Sequence, residues 1–403
     1  MHQSLIIYFL AILGFLNGSC FAQQKEVFLS FPELKDKIEV SLPEGHDPQK
    51  RYPVLFYYHG QSGLPDTSLI RFHTGPKDWI VVGMGYVKQG RIDLSKDALV
   101  REMRMFHKVK KMVVEKYGGN IRACYAAGFS KGGWLTDAML QTEPSLAGGI
   151  ILGAGKMKQF NQIKTYSQGK GDDKKVIFIG IGRNDHNHTY AYHALMMHRK
   201  MSAAVTLEIW RDLGHSIPQS GSSGLKQWLR SRLINKEGLK ELAAQETQTA
   251  FDAALKLPEL EQYFVLRDLS DTPYVKLLGE TWEKRINSGI ATLTKDKKVL
   301  QESLAHSQQQ KALSWELKYR NSVDLEKVKR GYLFIQETYA DSTEAVLMVK
   351  DITRVERLLK LVRQREAEMK SRQAEKSKDK DAEAKGPSRE NDRDRIPRNP
   401  LIR

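Results

Sequence analysis

Eight short apolar runs within the first 235 residues constrain this chain more than any other feature. Val27–Phe31, Lys37–Leu42, Val54–Tyr58, Trp79–Met84, Ala123–Phe129, Gly149–Leu152, Val176–Gly180 and Ala204–Trp210 are each strand-length, and several lack polar alternation. Continuous apolar strands suit a mostly parallel sheet covered on both faces, and the segments between them read as helices. Leu99, Met103, Phe106, Val109 and Val113 recur at helical spacing and predict one such covering helix. The expectation is an α/β domain, doubly wound around a mostly parallel eight-stranded sheet, spanning residues 23–235.

The flanking segments have a different character. Leu5 to Leu16 is almost wholly apolar and is followed by Asn17-Gly18-Ser19-Cys20-Phe21-Ala22. About a dozen apolar residues are too few to cross a bilayer but suit the core of an export signal. Small residues at Cys20 and Ala22 fit cleavage before Gln23, although His2 stands where Lys or Arg is usual. An acylated Cys20 is disfavoured because Asn17 occupies the position where such signals carry Leu. Residues 1–22 are therefore read as a signal peptide, the mature chain as secreted or periplasmic, and no integral span is expected after cleavage. Only Cys124 would then remain, which excludes an internal disulfide or a cysteine zinc site.

Beyond residue 235 strand runs give way to Glu, Lys, Gln, Leu and Ala. Leu239–Leu257, Leu277–Ile286, Lys298–Tyr319, Leu325–Tyr339 and Val355–Met369 read as helices of an α-helical module over 236–362, with breaks near Pro258, Asp271-Thr272-Pro273 and Asp341-Ser342. Such a module would supply a surface for another protein. From Arg363 the last 41 residues hold 13 basic and 9 acidic side chains and no aromatic, the composition of a charged disordered tail.

The chain carries 64 Lys and Arg against 48 Asp and Glu, a net charge of +16. Between Gln23 and Lys240 there are 33 basic and 20 acidic residues, so the excess sits mainly on the α/β segment. That balance suits an acidic polymer such as an acidic polysaccharide, and solubility alone also accounts for it. Nothing in the chain has the form of a nucleic-acid recognition motif, so no nucleic-acid partner is expected.

Three spots carry chemistry. Gly128-Phe129-Ser130-Lys131-Gly132 lies directly between the strand Ala123–Ala127 and the helical stretch Trp134–Gln141. A nucleophilic serine needs this sharp strand-to-helix turn, with glycines leaving it room and a helix N-terminus beside the developing charge. Asp185 follows the strand Val176–Gly180, where an acid either orients a histidine or caps the next helix. Asp172 and Asp173 precede that strand and lie at its wrong end. His215, in Asp212-Leu213-Gly214-His215-Ser216, follows Ala204–Trp210, where it can serve as general base and then acid. The order Ser130, Asp185, His215, with gaps of 55 and 30 residues, is the one this chemistry takes on an open α/β sheet.

With these residues, Val27 to Leu233 resembles the α/β-hydrolase superfamily. Its short, lid-free layout resembles secreted esterases of the polyhydroxybutyrate depolymerase and feruloyl esterase type. His59-Gly60-Gln61-Ser62-Gly63, after the strand Val54–Tyr58, matches the superfamily's oxyanion loop. The resemblance implies that the backbone N–H groups of Gln61 and Lys131 hold the oxyanion, while His59 serves packing or the turn. It implies a Ser-His-Asp hydrolase of carboxylic esters on a polysaccharide or polyester. A peptidase of the same fold, or a non-catalytic binding protein on this scaffold, are the alternatives. No cofactor and no metal are expected. His186, His188, His193 and His198 crowd Asp185, but the last three are five residues apart, whereas ligands on one helix face are three or four apart. Tyr190, Tyr192 and Trp134 either stack on an aromatic or sugar group or pack in the core.

Overall fold

The computed structural model describes residues 25–87, 95–156, 174–211, 213–218, 223–233 and 236–384. The leader with Cys20 and Ala22, and Asp172, Asp173 and Asp212, lie outside these residues. The described residues divide into two compact units, those up to Leu304 and those from Ala305.

All eight apolar runs form strands of one sheet. They are β1 (Glu26–Leu29), β2 (Ile38–Ser41), β3 (Tyr52–Tyr58), β4 (Ile80–Met84), β5 (Gly119–Phe129), β6 (Gly148–Leu152), β7 (Val176–Gly182) and β8 (Ala204–Trp210). The order across the sheet is β1-β2-β4-β3-β5-β6-β7-β8. The pairs β1/β2 and β2/β4 are antiparallel and the rest parallel, with Val54 opposite Ile80 and Tyr58 opposite Gly128.

Both faces are covered, as unbroken apolar strands require. Every residue of β4 and β6 is buried. Alternation along β3 sorts its side chains between two cores. Val54, Phe56 and Tyr58 join Phe106, Val109, Leu135 and Ala191. Leu55 and Tyr57 join Ile70, Trp79, Leu225 and Trp228. The first core is closed by helices α2 (Lys96–Tyr117), α3 (Lys131–Thr142) and α4 (His188–Lys200), the second by α1 (Ser68–Thr74) and α5 (Ser223–Arg230). Helix α2 carries the stripe read from the sequence. Ser95 caps it by accepting the Ala98 N–H, and Gly118 ends it at φ 70°, where a Cβ would meet the Lys50 carbonyl oxygen at 2.4 Å. This sheet order, with its antiparallel edge and a strand–turn–helix after β5, is the α/β-hydrolase fold.

The remainder of the first unit is helical: α6 (Lys236–Ala254), α7 (Glu259–Ser270), α8 (Pro273–Leu278) and α9 (Glu280–Leu293). Their core gathers Phe251, Tyr263, Leu266, Val275, Ile286 and Leu293. Arg211, just past β8, lies 4.3 Å over the Phe264 ring, and Arg230 of α5 pairs with Glu246 of α6. Two features depart from the sequence expectation. Helix α7 stands between two breaks where none was foreseen, and the helix expected over Leu277–Ile286 is divided by Gly279, whose φ of 77° ends α8.

Helix α10 (Lys297–Glu316) crosses into the second unit, which holds α11 (Ser322–Thr338) and α12 (Thr343–Ala384). Its core includes Leu325, Val328, Tyr332, Ile335, Met348, Ile352 and Val355. Within it Arg354 binds Glu316 through Nε and Nη2 at 2.9 and 2.8 Å and Asp351 through Nη1 at 2.6 Å, and the Tyr332 hydroxyl donates to Glu316 at 2.7 Å. Helix α12 continues past Met369, through part of the charged segment expected to be disordered. Beyond the last apolar contacts it is held by Arg363 on Glu326 and by Ser322, whose N–H and hydroxyl donate to Glu366 at 2.9 and 2.8 Å. Residues 385–403 lie outside the described residues. No helix among the described residues is long and apolar enough to cross a membrane.

Candidate active site

The turn between β5 and α3 is built as the sequence requires. Ser130 sits at φ 53° and ψ −113°, one of two non-glycine residues with positive φ among those described. A backbone held there stores strain of about 1–3 kcal/mol, which the surrounding packing sustains. The flanking glycines are dictated by contact. A Cβ on Gly128 would lie 2.2 Å from the Gly132 carbonyl carbon, and one on Gly132 would lie 2.0 Å from the Tyr58 carbonyl oxygen. The Ser130 N–H donates to Leu152 O at 2.9 Å, tying the turn to β6. Helix α3 begins at Lys131, so its positive end faces the serine.

His215 and Asp185 arrive from the loops after β8 and β7. These loops are laced together: Arg183 N–H donates to Trp210 O and Asn184 N–H to Leu213 O, while Gly182 lies so close that a Cβ would meet Gly214 O at 2.2 Å. His215 Nε2 is 2.8 Å from Ser130 Oγ, and His215 Nδ1 is 2.8 Å from Asp185 Oδ2. The Asp185 side chain is fully buried, and its Oδ1 accepts the Asn187 N–H at 2.8 Å. Asp185 does not cap α4, whose N-cap is Asn187; one carboxylate oxygen braces the turn before the helix and the other meets His215. The Phe129 ring lies against His215 at 5.0 Å between centroids. In this arrangement Nδ1–H donates to the carboxylate and leaves Nε2 to accept the serine proton.

The segment His59–Gly63 forms a tight turn closed by Gly63 N–H to Gly60 O at 3.2 Å. It lies against the serine: a Cβ on Gly60 would be 3.7 Å from Ser130 Cβ. The His59 ring turns inward, its Nδ1 2.6 Å from Gly60 O, and burial lowers its pKa. The sequence reading did not single out what lies beneath. The Tyr86 hydroxyl donates to His59 O at 2.5 Å, and the Lys131 ammonium stands 3.7 Å over the Tyr86 ring. Burial lowers the Lys131 pKa while the nearby Glu102 carboxylate opposes that shift. Glu102 in turn accepts the Val87 N–H at 3.1 Å. A lone tyrosine after β4 and a glutamate on α2 carry no motif, so only their placement reveals this brace.

The remaining histidines disperse. His198 is buried with its Nε2 2.9 Å from Asp137 Oδ1, His188 packs on Tyr192 at 5.1 Å, and His193 lies beside Tyr190. His186 alone stays near the serine–histidine pair, its ring centroid 4.8 Å from that of His215. Trp134 and Tyr190 meet edge to face at 5.4 Å.

No protein-family model matches the sequence, and no curated protein matches it. Among solved structures, a carboxylesterase from Mesorhizobium loti is similar at 16% identity, covering 51% of this chain and 98% of its own, with a TM-score of 0.42. A carboxylesterase from Bacillus cereus is similar at 17% identity, covering 56% of this chain and 98% of its own, with a TM-score of 0.37. A ferulic acid esterase from Anaeromyces mucronatus is similar at 16% identity, covering 50% of this chain and 87% of its own, with a TM-score of 0.36. The chain's own geometry carries the conclusion: an α/β-hydrolase sheet that presents Ser130, His215 and Asp185 as one hydrogen-bonded line at the carboxyl ends of its parallel strands.

Proposed function

We propose that the chain is a serine hydrolase of carboxylic esters, with residues 23–235 carrying the chemistry. The observation that carries this reading is the line from Ser130 Oγ through His215 to buried Asp185, both links 2.8 Å, with the serine on a strained turn. Ser130 attacks the ester carbonyl as His215 takes its proton, and Asp185 holds the imidazole and balances its charge. The tetrahedral oxyanion rests on the backbone N–H groups of Gln61 and Lys131, each donor contributing about 3–4 kcal/mol in comparable sites. Gln61 N–H makes no hydrogen bond among the described residues, and its turn abuts Ser130. His215 next protonates the leaving alcohol, and water then repeats the sequence to free the acid.

The substrate we propose is an ester on a polysaccharide or polyester, met outside the cytoplasm after removal of residues 1–22. The two carboxylesterases and the ferulic acid esterase to which the chain is similar are in keeping with ester chemistry. The test is labelling of the full chain with a fluorophosphonate, beside Ser130→Ala and His215→Ala, followed by chromogenic ester and peptide panels. Labelling lost in both variants, with turnover of esters and not of peptides, is the expected result. An unlabelled but folded wild type overturns the proposal.

A further inference from the structure

His186 has no place in the acyl-transfer reaction, yet it is set against it. Its Nδ1 lies 3.5 Å from Asp185 Oδ1, and its side chain is 57% exposed, open to an ion arriving from solvent. Donor atoms of Asp185, His186 and His215 all fall within 4.8 Å of one another. From the structure we infer that these three residues form an inhibitory site for Zn²⁺, distinct from any resident cofactor.

The donor chemistry fits. Two imidazoles and a carboxylate with a position left for water are a common tetrahedral zinc set. Zinc bonds of about 2.0–2.2 Å at tetrahedral angles place neighbouring donors about 3.4 Å apart. The 3.5 Å between His186 Nδ1 and Asp185 Oδ1 already matches that bite. The third donor, His215 Nδ1, is 2.8 Å from the other oxygen of the same carboxylate, so a small swing of the ring admits the ion between them. The carboxylate is held for this by the Asn187 N–H on Oδ1.

The effect on the serine follows from the tautomer. With Nδ1–H donating to Asp185, Nε2 carries the lone pair that accepts the Ser130 proton. Zinc bound at Nδ1 takes the lone pair there, and the proton moves to Nε2. The imidazole stays neutral throughout, one proton changes nitrogen, and the ion sheds water. Nε2, 2.8 Å from Ser130 Oγ before the ion enters, then carries N–H and has no lone pair with which to accept the serine proton. The nucleophile loses its base while every atom of it remains in place.

Zinc binding stands apart from the proposed esterase activity, whereas inhibition rests on that reading, so two readouts are needed. Calorimetry of ZnCl₂ into full-length Ser130→Ala, in a non-chelating buffer at neutral pH, reads the site without turnover. One ion per chain is expected, with affinity at least about tenfold weaker in Ser130→Ala/His186→Gln, the scale of losing a metal-supporting group. In parallel, zinc should reversibly suppress fluorophosphonate labelling of the wild type, with recovery on EDTA. His186→Gln should label like the wild type without zinc and need at least about tenfold more zinc for half-suppression. Equal zinc affinity in the two Ser130→Ala backgrounds, or equal zinc sensitivity in the wild type and His186→Gln, overturns the inference. A wild type that never labels refutes the hydrolase reading, and the two calorimetric curves then decide the metal site alone.

Discussion

Replacing Asp185 by Asn changes one atom and tests how the proposed base is held. The native carboxylate accepts on both sides, from His215 Nδ1–H at 2.8 Å and from Asn187 N–H at 2.8 Å. An amide can accept on only one side. If its oxygen stays with the Asn187 N–H, its NH₂ group faces His215 and donates to Nδ1, so the ring proton sits on Nε2 and the base is lost. If the amide flips to rescue the tautomer, two N–H groups face each other in a fully buried place, at a cost of about 1–3 kcal/mol. The imidazolium formed during reaction also loses a charged hydrogen-bond partner, a further ~1.5–3 kcal/mol. Together these amount to about 2.5–6 kcal/mol, or roughly 10²–10⁴ in kcat at about 1.4 kcal/mol per decade. Steady-state hydrolysis of a chromogenic acetate ester gives kcat, with KM expected to stay within about threefold because the carboxylate touches no substrate. A folded Asp185→Asn variant retaining more than a tenth of wild-type kcat would refute the reasoning.

Two further outcomes concern stability. His73, buried in α1, has its pKa lowered from 6.5 to about 4 by burial, with the Lys226 charge adding to the shift. Between these values the unfolded chain binds a proton that the folded chain does not, so stability falls as pH drops from 6.5 towards 4, by at most about 3 kcal/mol. Urea midpoints measured at pH 7 and pH 4 should converge in His73→Gln relative to the wild type, and parallel declines in both chains would count against it. In the second unit, Arg354→Met leaves Glu316 and Asp351 buried without their cation. That should cost about 3–5 kcal/mol in urea unfolding followed by circular dichroism, and a loss under about 1 kcal/mol would show the network to be slack.

The strand set and the elbow were legible because both depend on local signals. Period-two burial and unbroken apolar runs mark a strand wherever it ends up in the sheet, and Gly128 and Gly132 betray close backbone approach within five residues. Helix ends were less legible. Gly279 splits a continuous helical pattern through its backbone conformation, and α12 runs past its apolar stripe, where Glu366 and Arg363 find partners on α11. Asp185 taken alone reads equally as a helix cap or a histidine partner; the structure buries it between His215 Nδ1 and the Asn187 N–H, and the N-cap of α4 is Asn187 instead. Likewise Tyr86 meets His59, and Lys131 meets Tyr86, across gaps of 27 and 45 residues with no motif in between. The sequence by itself determined the eight strands, the serine turn and the order of Ser130, Asp185 and His215. Only the tertiary structure decided which side chains share the space above the strand ends, because that depends on strand order and parallel register, and neither is written in any local stretch of chain.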